Sequence, residues 1–155
     1  MITFVWLKTM SSSQIKELFD VFLSAFLAQD RLTSESLTTY FHEKIIPRIK
    51  REDPLVVLLN QDKIIGFALF EKWGKSAYYL AEMAILPAYQ RKGLGKKLTF
   101  SVFDKDPFIQ KILLVTEIAN TWAQAFYESI GFKRSCFVHP DYPIDFIGYE
   151  YAKEE

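Results

Sequence analysis

The sequence predicts an α/β fold in one domain, with elements in the order β-αα-βββ-α-β-α-ββ. Three observations carry this. The chain has 155 residues, a length for one domain rather than two. A chain of that size buries roughly 70% of its extended surface and needs no disulfide or metal staple. Apolar residues recur at helical spacing up to about residue 50, then give way to compact β-type runs separated by short turns. Beyond residue 90, helical stretches alternate with apolar runs. No internal repeat and no low-complexity linker interrupts the chain, so residues 1–155 are expected to form a single domain.

Taken in order, Thr3 to Leu7 is short, apolar and β-prone and reads as a first strand. Ser11-Ser12-Ser13 supplies capping hydroxyls for a helix whose apolar face carries Ile15, Leu18, Phe19, Phe22, Leu23 and Phe26. Gln29 to Thr33 is a polar break. A second helix is expected from about Ser34 to Lys50, with Leu37, Phe41 and Ile45 on one face and Pro47 disturbing its end. Glu52-Asp53-Pro54 closes the helical half. Three strands follow at Leu55–Leu59, Ile64–Phe70 and Ala77–Leu86. The turns Asn60-Gln61-Asp62 and Trp73-Gly74-Lys75 make them an antiparallel meander. Pro87 stops the third strand. A helix runs from about Gly93 to Phe103, and Asp106-Pro107 breaks it. Ile112 to Thr116 is a buried-type strand, and Thr121 to Ile130 a helix with Gly131 as its C-terminal cap. Phe132–Val138 and Ile144–Tyr151 are closing strands joined by a Pro-rich loop.

Composition narrows the function. Half the residues are apolar and 25% are charged, which excludes a disordered chain. Lys plus Arg and Asp plus Glu are both 19, so bulk charge gives no reason to expect a nucleic-acid or membrane partner. A nucleic-acid reading would rest on Arg91, Lys92, Lys96, Lys97 and Lys111 alone. One cysteine, Cys136, excludes an intramolecular disulfide and a Cys-based zinc site, and His42 and His139 have no metal spacing. No stretch approaches the ~18 apolar residues of a membrane span, and the first residues lack the basic region of a signal peptide. The expected compartment is the cytoplasm.

The chemistry lies in Pro87-Ala88-Tyr89-Gln90-Arg91-Lys92-Gly93-Leu94-Gly95-Lys96-Lys97-Leu98. A strand enters a turn with two glycines and four cations, then a helix. The first N–H groups of a helix have no intrahelical partner, and the dipole adds partial positive charge there. Gly93 and Gly95 let a ligand approach the backbone, and Arg91, Lys92, Lys96 and Lys97 add formal charge. The pattern suits a phosphate. A dinucleotide fingerprint fails because Leu98 stands where a third Gly or Ala is needed. A Walker A loop fails at Gln90 and Lys97.

A second segment, Asn120-Thr121-Trp122-Ala123-Gln124-Ala125-Phe126-Tyr127-Glu128-Ser129-Ile130-Gly131-Phe132, follows the buried strand. Together the two segments resemble the GCN5-related N-acetyltransferase (GNAT) superfamily. Gln90, Gly93 and Gly95 match its acyl-CoA loop. Asn120, Ala123, Tyr127, Gly131 and Phe132 match its later motif at the same spacing. The resemblance covers about residues 55 to 135. It implies a mixed sheet splayed between the strand ending at Leu86 and the strand ending near Thr116, with acetyl-CoA as cosubstrate in the splay. Backbone groups of Met83, Ala84 and Ile85 would pair with pantetheine. Amides from Arg91 through Lys92, Gly93, Leu94 and Gly95 to Lys96 would cradle the pyrophosphate, and Asn120 would contact the pantetheine arm. A homodimer is common in the superfamily.

Direct transfer to an amine requires a neutral nucleophile, and only about one in 2,500 alkylamines is neutral at pH 7. The resemblance puts Tyr127 in the position of the general acid, protonated at neutral pH and able to supply the leaving thiolate. A backbone N–H near Met83 to Ile85 would stabilise the developing oxyanion. Glu82 is the carboxylate in the strand leading to the loop and the first candidate for base. Glu117, His139 and water are alternatives. Some relatives carry a Glu where this chain has Val115, so that role does not transfer. The resemblance implies a small-molecule or peptide amine as acceptor, with contacts from the first two helices, their connection and the last strand pair, which here carry Phe22, Phe26, Asp30, Tyr40, Phe41, His139, Asp141, Tyr142 and Asp145. The competing reading is a non-catalytic acyl-CoA-binding sensor.

Overall fold

A computed structural model describes residues 1–28 and 32–153. Asp30 and most of the Gln29–Thr33 break lie outside the described residues. Strand β1 is Ile2–Leu7, helix α1 Ser12–Leu27, α2 Ser34–Tyr40 and α3 Ile46–Lys50. Strands β2, β3 and β4 are Leu55–Asn60, Lys63–Trp73 and Ala77–Ile85. Helix α4 is Leu94–Lys105, β5 Lys111–Glu117, α5 Thr121–Ser129, β6 Lys133–Ser135 and β7 Phe146–Ala152. The strands are ordered β1-β2-β3-β4-β5-β7-β6, a mixed seven-stranded sheet with flanking helices, as the sequence predicts. No helix of the described residues is long and apolar enough to cross a membrane.

The chain forms two compact units. The first comprises Met1–Glu71 and Ala81–Ser101. Helix α1 starts because Ser11 caps it: its hydroxyl accepts from the Gln14 N–H at 3.2 Å, and the Gln14 side chain accepts from the Ser11 N–H at 2.9 Å. Leu18, Val21 and Phe22 of α1 pack with Leu37 of α2, with Leu55 and Val57 of β2 and with Phe67 and Leu69 of β3. Strand β2 is buried on both faces, which explains its unbroken apolar run. Gln61 and Asp62, with φ of 51° and 68°, form the tight turn to β3. The register shifts between Leu58 and Leu59, and Glu17 of α1 accepts the Ile64 N–H there at 2.7 Å.

The second helix departs from its expected form. A π-helical turn, Phe41–Ile45, separates α2 from α3, and the Ile46 N–H donates to the Phe41 carbonyl. Leu37, Phe41 and Ile45 are spaced by four residues, which overshoots an α-turn by about 40°. The wider π-turn takes up that drift, so all three stay buried. Pro47 falls in the first turn of α3, directly after the π-helical turn.

The second unit comprises Lys72–Leu80 and the chain from Val102 onward. Here β4 and β5 run parallel and pair at Ala77↔Lys111, Tyr78↔Ile112 and Tyr79↔Leu113. The described ladder does not continue to Leu80 and Leu114. Strand β5 pairs along its whole length with antiparallel β7. Strand β6 is only three residues, not the seven expected. Ser135 Oγ accepts the Phe137 N–H at 3.1 Å and turns the chain out of the sheet. The Phe137 carbonyl then lies over Gly148.

Candidate active site

The first unit carries a strand, a loop and a helix in direct succession. Strand β4 ends when the Leu86 N–H donates to the Ile65 carbonyl at 2.9 Å. Pro87–Tyr89 makes one 3₁₀ turn. The Gln90 side chain donates to the Ile85 carbonyl at 2.9 Å and ties the loop back onto the strand. Arg91 and Gly93 both have positive φ, 62° and 80°. For Arg91 this is a strained conformation. Alternation of backbone hand turns successive N–H groups to one side, the arrangement that accepts an anion. Helix α4 adds its own unpaired N–H groups at Leu94, Gly95 and Lys96, the Gly93 carbonyl having taken the Lys97 N–H at 3.2 Å. Arg91, Lys92, Lys96 and Lys97 are exposed, and Lys92 lies 5.8 Å from the Tyr89 ring centre. Buried Thr99 donates to the Gly95 carbonyl at 2.8 Å, and its oxygen sits 3.5 Å from the Met83 sulfur, packing the first turn of α4 on β4. This donor set fits a diphosphate.

Glu82 lies on β4, eight residues before Gln90. Its Oε2 accepts from the Tyr40 hydroxyl at 2.6 Å. Burial pushes its carboxyl from 4.5 up to about 7, against the lowering effects of the Tyr40 hydrogen bond and the Arg48 charge. Arg48 is 7% exposed and is held by Glu71 and Asp53, which also engage Arg51. A carboxyl that titrates near neutrality is suited to take a proton there.

The second unit carries Tyr127 and Asn120. Asn120 caps α5, its Oδ1 accepting the Ala123 N–H at 3.0 Å. That leaves its amide N–H₂ as the group it can offer a ligand. Gln124 donates to the Glu117 and Ile118 carbonyls at 3.1 and 2.9 Å and closes the turn from β5. At the other end of α5, the Gly131 N–H donates to the Glu128 carbonyl and the Phe132 N–H to the Tyr127 carbonyl, at 3.2 and 3.0 Å. Gly131, at φ 107°, makes this Schellman closure. The Tyr127 ring packs edge-on against Phe132 at 5.4 Å and Phe126 at 5.0 Å.

The other predicted residues are distributed as follows. Glu117 is exposed at the end of β5. His139 is 4% exposed, its ring 4.5 Å from Tyr79, 5.4 Å from Tyr142 and 5.5 Å from Trp73, and its Nδ1 accepts the Asp141 N–H. Phe22 and Phe41 are core residues, each 1% exposed. Tyr40 reaches Glu82 from the end of α2. A groove of about 470 Å³ lined by Trp73, Ala77, Lys111 and Leu113 stands at the beginning of β4 and β5, whereas the anion loop follows the end of β4. The Tyr40 contact had no sequence signal, because 42 residues separate it from Glu82.

Residues 51–134 match the acetyltransferase (GNAT) domain, and the chain belongs to that family. It is 34% identical over 84 residues to N-alpha-acetyltransferase 30 of Schizosaccharomyces pombe, covering 50% of this chain and 56% of that protein. It is 32% identical over 87 residues to ribosomal protein bS18-alanine N-acetyltransferase of Haemophilus ducreyi, covering 55% and 59%. The chain thus spans less than two thirds of the length of these relatives. The PaiA N-acetyltransferase of Thermoplasma acidophilum, solved in complex with coenzyme A, shares the fold with a TM-score of 0.75 at 17% identity, over 97% of this chain and 99% of that one.

Proposed function

We propose that residues 1–155 form one acyltransferase domain that moves an acetyl group from acetyl-CoA to a primary amine by direct attack in a ternary complex. The observation that carries this is the sequence of features on one stretch of chain: a carboxyl titrating near 7 at Glu82, then an anion-accepting loop and helix N-terminus. Acetyl-CoA supplies the acyl group activated as a thioester. The loop from Gln90 to Lys96 holds its diphosphate, and the β4 backbone at Met83, Ala84 and Ile85 pairs with the pantetheine by strand addition. Asn120 donates its amide to the same arm. Glu82 takes the proton that the amine loses as the C–N bond forms. Tyr127 gives a proton to the sulfur as the C–S bond breaks and regains it from water. The products are an acetamide and free coenzyme A. A backbone N–H at Met83 to Ile85 stabilises the oxyanion between the two events.

The proton match favours one acceptor class. An α-ammonium has a pKa of about 8 and a lysine ammonium about 10.4. A base near 7 takes a proton from the first at a roughly tenfold disadvantage, and from the second at about 2,500-fold. We therefore assign a peptide or protein N-terminus as acceptor. The names of the two curated relatives support this, since both denote acetylation of α-amines. The lone exposed Cys136 suits a reducing compartment, and the reading places the enzyme in the cytoplasm.

The test is thiol release from acetyl-CoA with a panel of peptides bearing a free α-amine, α-blocked peptides with a free lysine, and a diamine. Turnover is expected with the first group, and Tyr127→Phe is expected to lower kcat by roughly 10²–10⁴. Coenzyme binding with no turnover on any amine would instead establish the sensor reading. A change under twofold for Tyr127→Phe would make that side chain a packing residue.

A further inference from the structure

We infer that Tyr40 is a positioning residue for the transfer: its hydroxyl holds Oε2 of Glu82 and leaves Oε1 as the oxygen that receives the proton of the amine. The inference rests on Glu82 being the base. It stands first on geometry. The hydroxyl–carboxylate distance is 2.6 Å, short for a charge-assisted bond, and Oε1 has no hydrogen-bond partner among the described residues. Tyr40 is itself held. It ends α2 where the π-helical turn begins, and its ring stacks on Phe22 at 6.0 Å and 9° between planes. Phe22 is core, so the ring is docked on a rigid wall. π-Helical turns recur at functional sites, and here one fixes the residue that reaches across 42 positions to the strand.

Among the described residues, the groups facing Glu82 are Tyr40, from the end of α2, and Arg48, from α3. Arg48 is already held by Glu71 and Asp53. That leaves Tyr40 as the direct donor to the carboxylate. Donation to the charged form lowers the midpoint of Glu82, so losing it raises that midpoint and protonates more of the base at neutral pH.

Tyr40→Phe keeps the ring and removes the donor. Its Glu82 carboxyl, followed by ¹³C NMR and assigned by its loss in Glu82→Gln, should titrate about one to two pH units higher than in the wild type. The acid limb of kcat/KM should move with it. At pH 7 the rate should fall roughly five- to fifty-fold and recover as the pH is raised toward 9. 3-Fluorotyrosine at position 40, a stronger donor of nearly the same size, should move the midpoint down. It also keeps the inference testable if the phenylalanine variant folds poorly. An unchanged midpoint in both variants, or a loss of rate equal at every pH, overturns the role of Tyr40 while leaving Glu82 as base. A Glu82→Gln enzyme with wild-type rate and pH profile overturns the base itself, and the positioning role with it.

Discussion

Glu82 makes the protein less stable under the conditions in which it is proposed to work. In the unfolded chain its carboxyl returns to an ordinary value near 4.5; in the folded chain it sits at about 7. Between those values the folded state binds more protons than the unfolded state, so stability must fall as pH rises. The contribution is fully present below about pH 4.5 and lost by the time the pH has passed about 7. The rise from 4.5 to about 7 corresponds to a loss of about 3 kcal/mol. Glu82→Gln removes the titration while keeping an oxygen for the Tyr40 hydroxyl. The two proteins should therefore be nearly equal at pH 4 and should diverge upward, the variant ending about 3 kcal/mol more stable at pH 8. Urea unfolding at a series of pH values reads this directly, as a midpoint difference that grows to about 1–3 M. The same variant should lose roughly 10²–10⁴ in kcat, the range for a missing general base. A stability difference that stays constant across pH would refute the reasoning, because it would mean that Glu82 titrates alike in both states.

Two further substitutions test the frame around the site. Asn120→Ala should cost about 0.5–2 kcal/mol by uncapping α5, whereas Asn120→Asp keeps the acceptor oxygen and should hold its melting temperature. Both should raise the KM for acetyl-CoA, which separates capping from coenzyme contact. At Gly148 an added Cβ would clash with the Phe137 carbonyl, a backbone group that cannot swing aside as a side chain can. Gly148→Ala should lower the melting temperature by an amount equivalent to about 1–3 kcal/mol or more.

The order of elements was legible because burial in a helix or strand is a local pattern. Leu18 and Phe22, or Leu55 to Leu58, reveal their element within a few residues. The anion loop was legible for the same reason, since glycines, cations and a strand-to-helix transition sit within twelve positions. Two features were not. The stretch from Phe132 to Val138 reads as a full strand, yet Ser135 takes the Phe137 N–H and ends the pairing, a competition between side chain and ladder that composition does not reveal. The Tyr40–Glu82 contact joins residues 42 positions apart on separate elements, and no pattern of period 3.6 encodes it.

The motif from Asn120 to Phe132 can be understood without reference to any relative. An N-cap oxygen reaches the N–H three residues on, which fixes the step from Asn120 to Ala123. A Schellman closure joins a carbonyl to the N–H five residues on through a left-handed residue between, which fixes the step from Tyr127 through Gly131 to Phe132. The apolar contact that accompanies such closures is the Tyr127–Phe132 pair itself. The residues of the motif are thus two helix ends tied down, with the tyrosine seven positions after the cap. Seven positions are about two turns of helix, so Tyr127 lies two turns beyond the cap. Both closures are bonds within this segment, and they fix where the helix begins and ends. The amide proposed to hold the pantetheine and the phenol proposed to protonate its sulfur therefore stand two turns apart on one short helix. The local rules that end the helix also fix the geometry that its proposed chemistry requires.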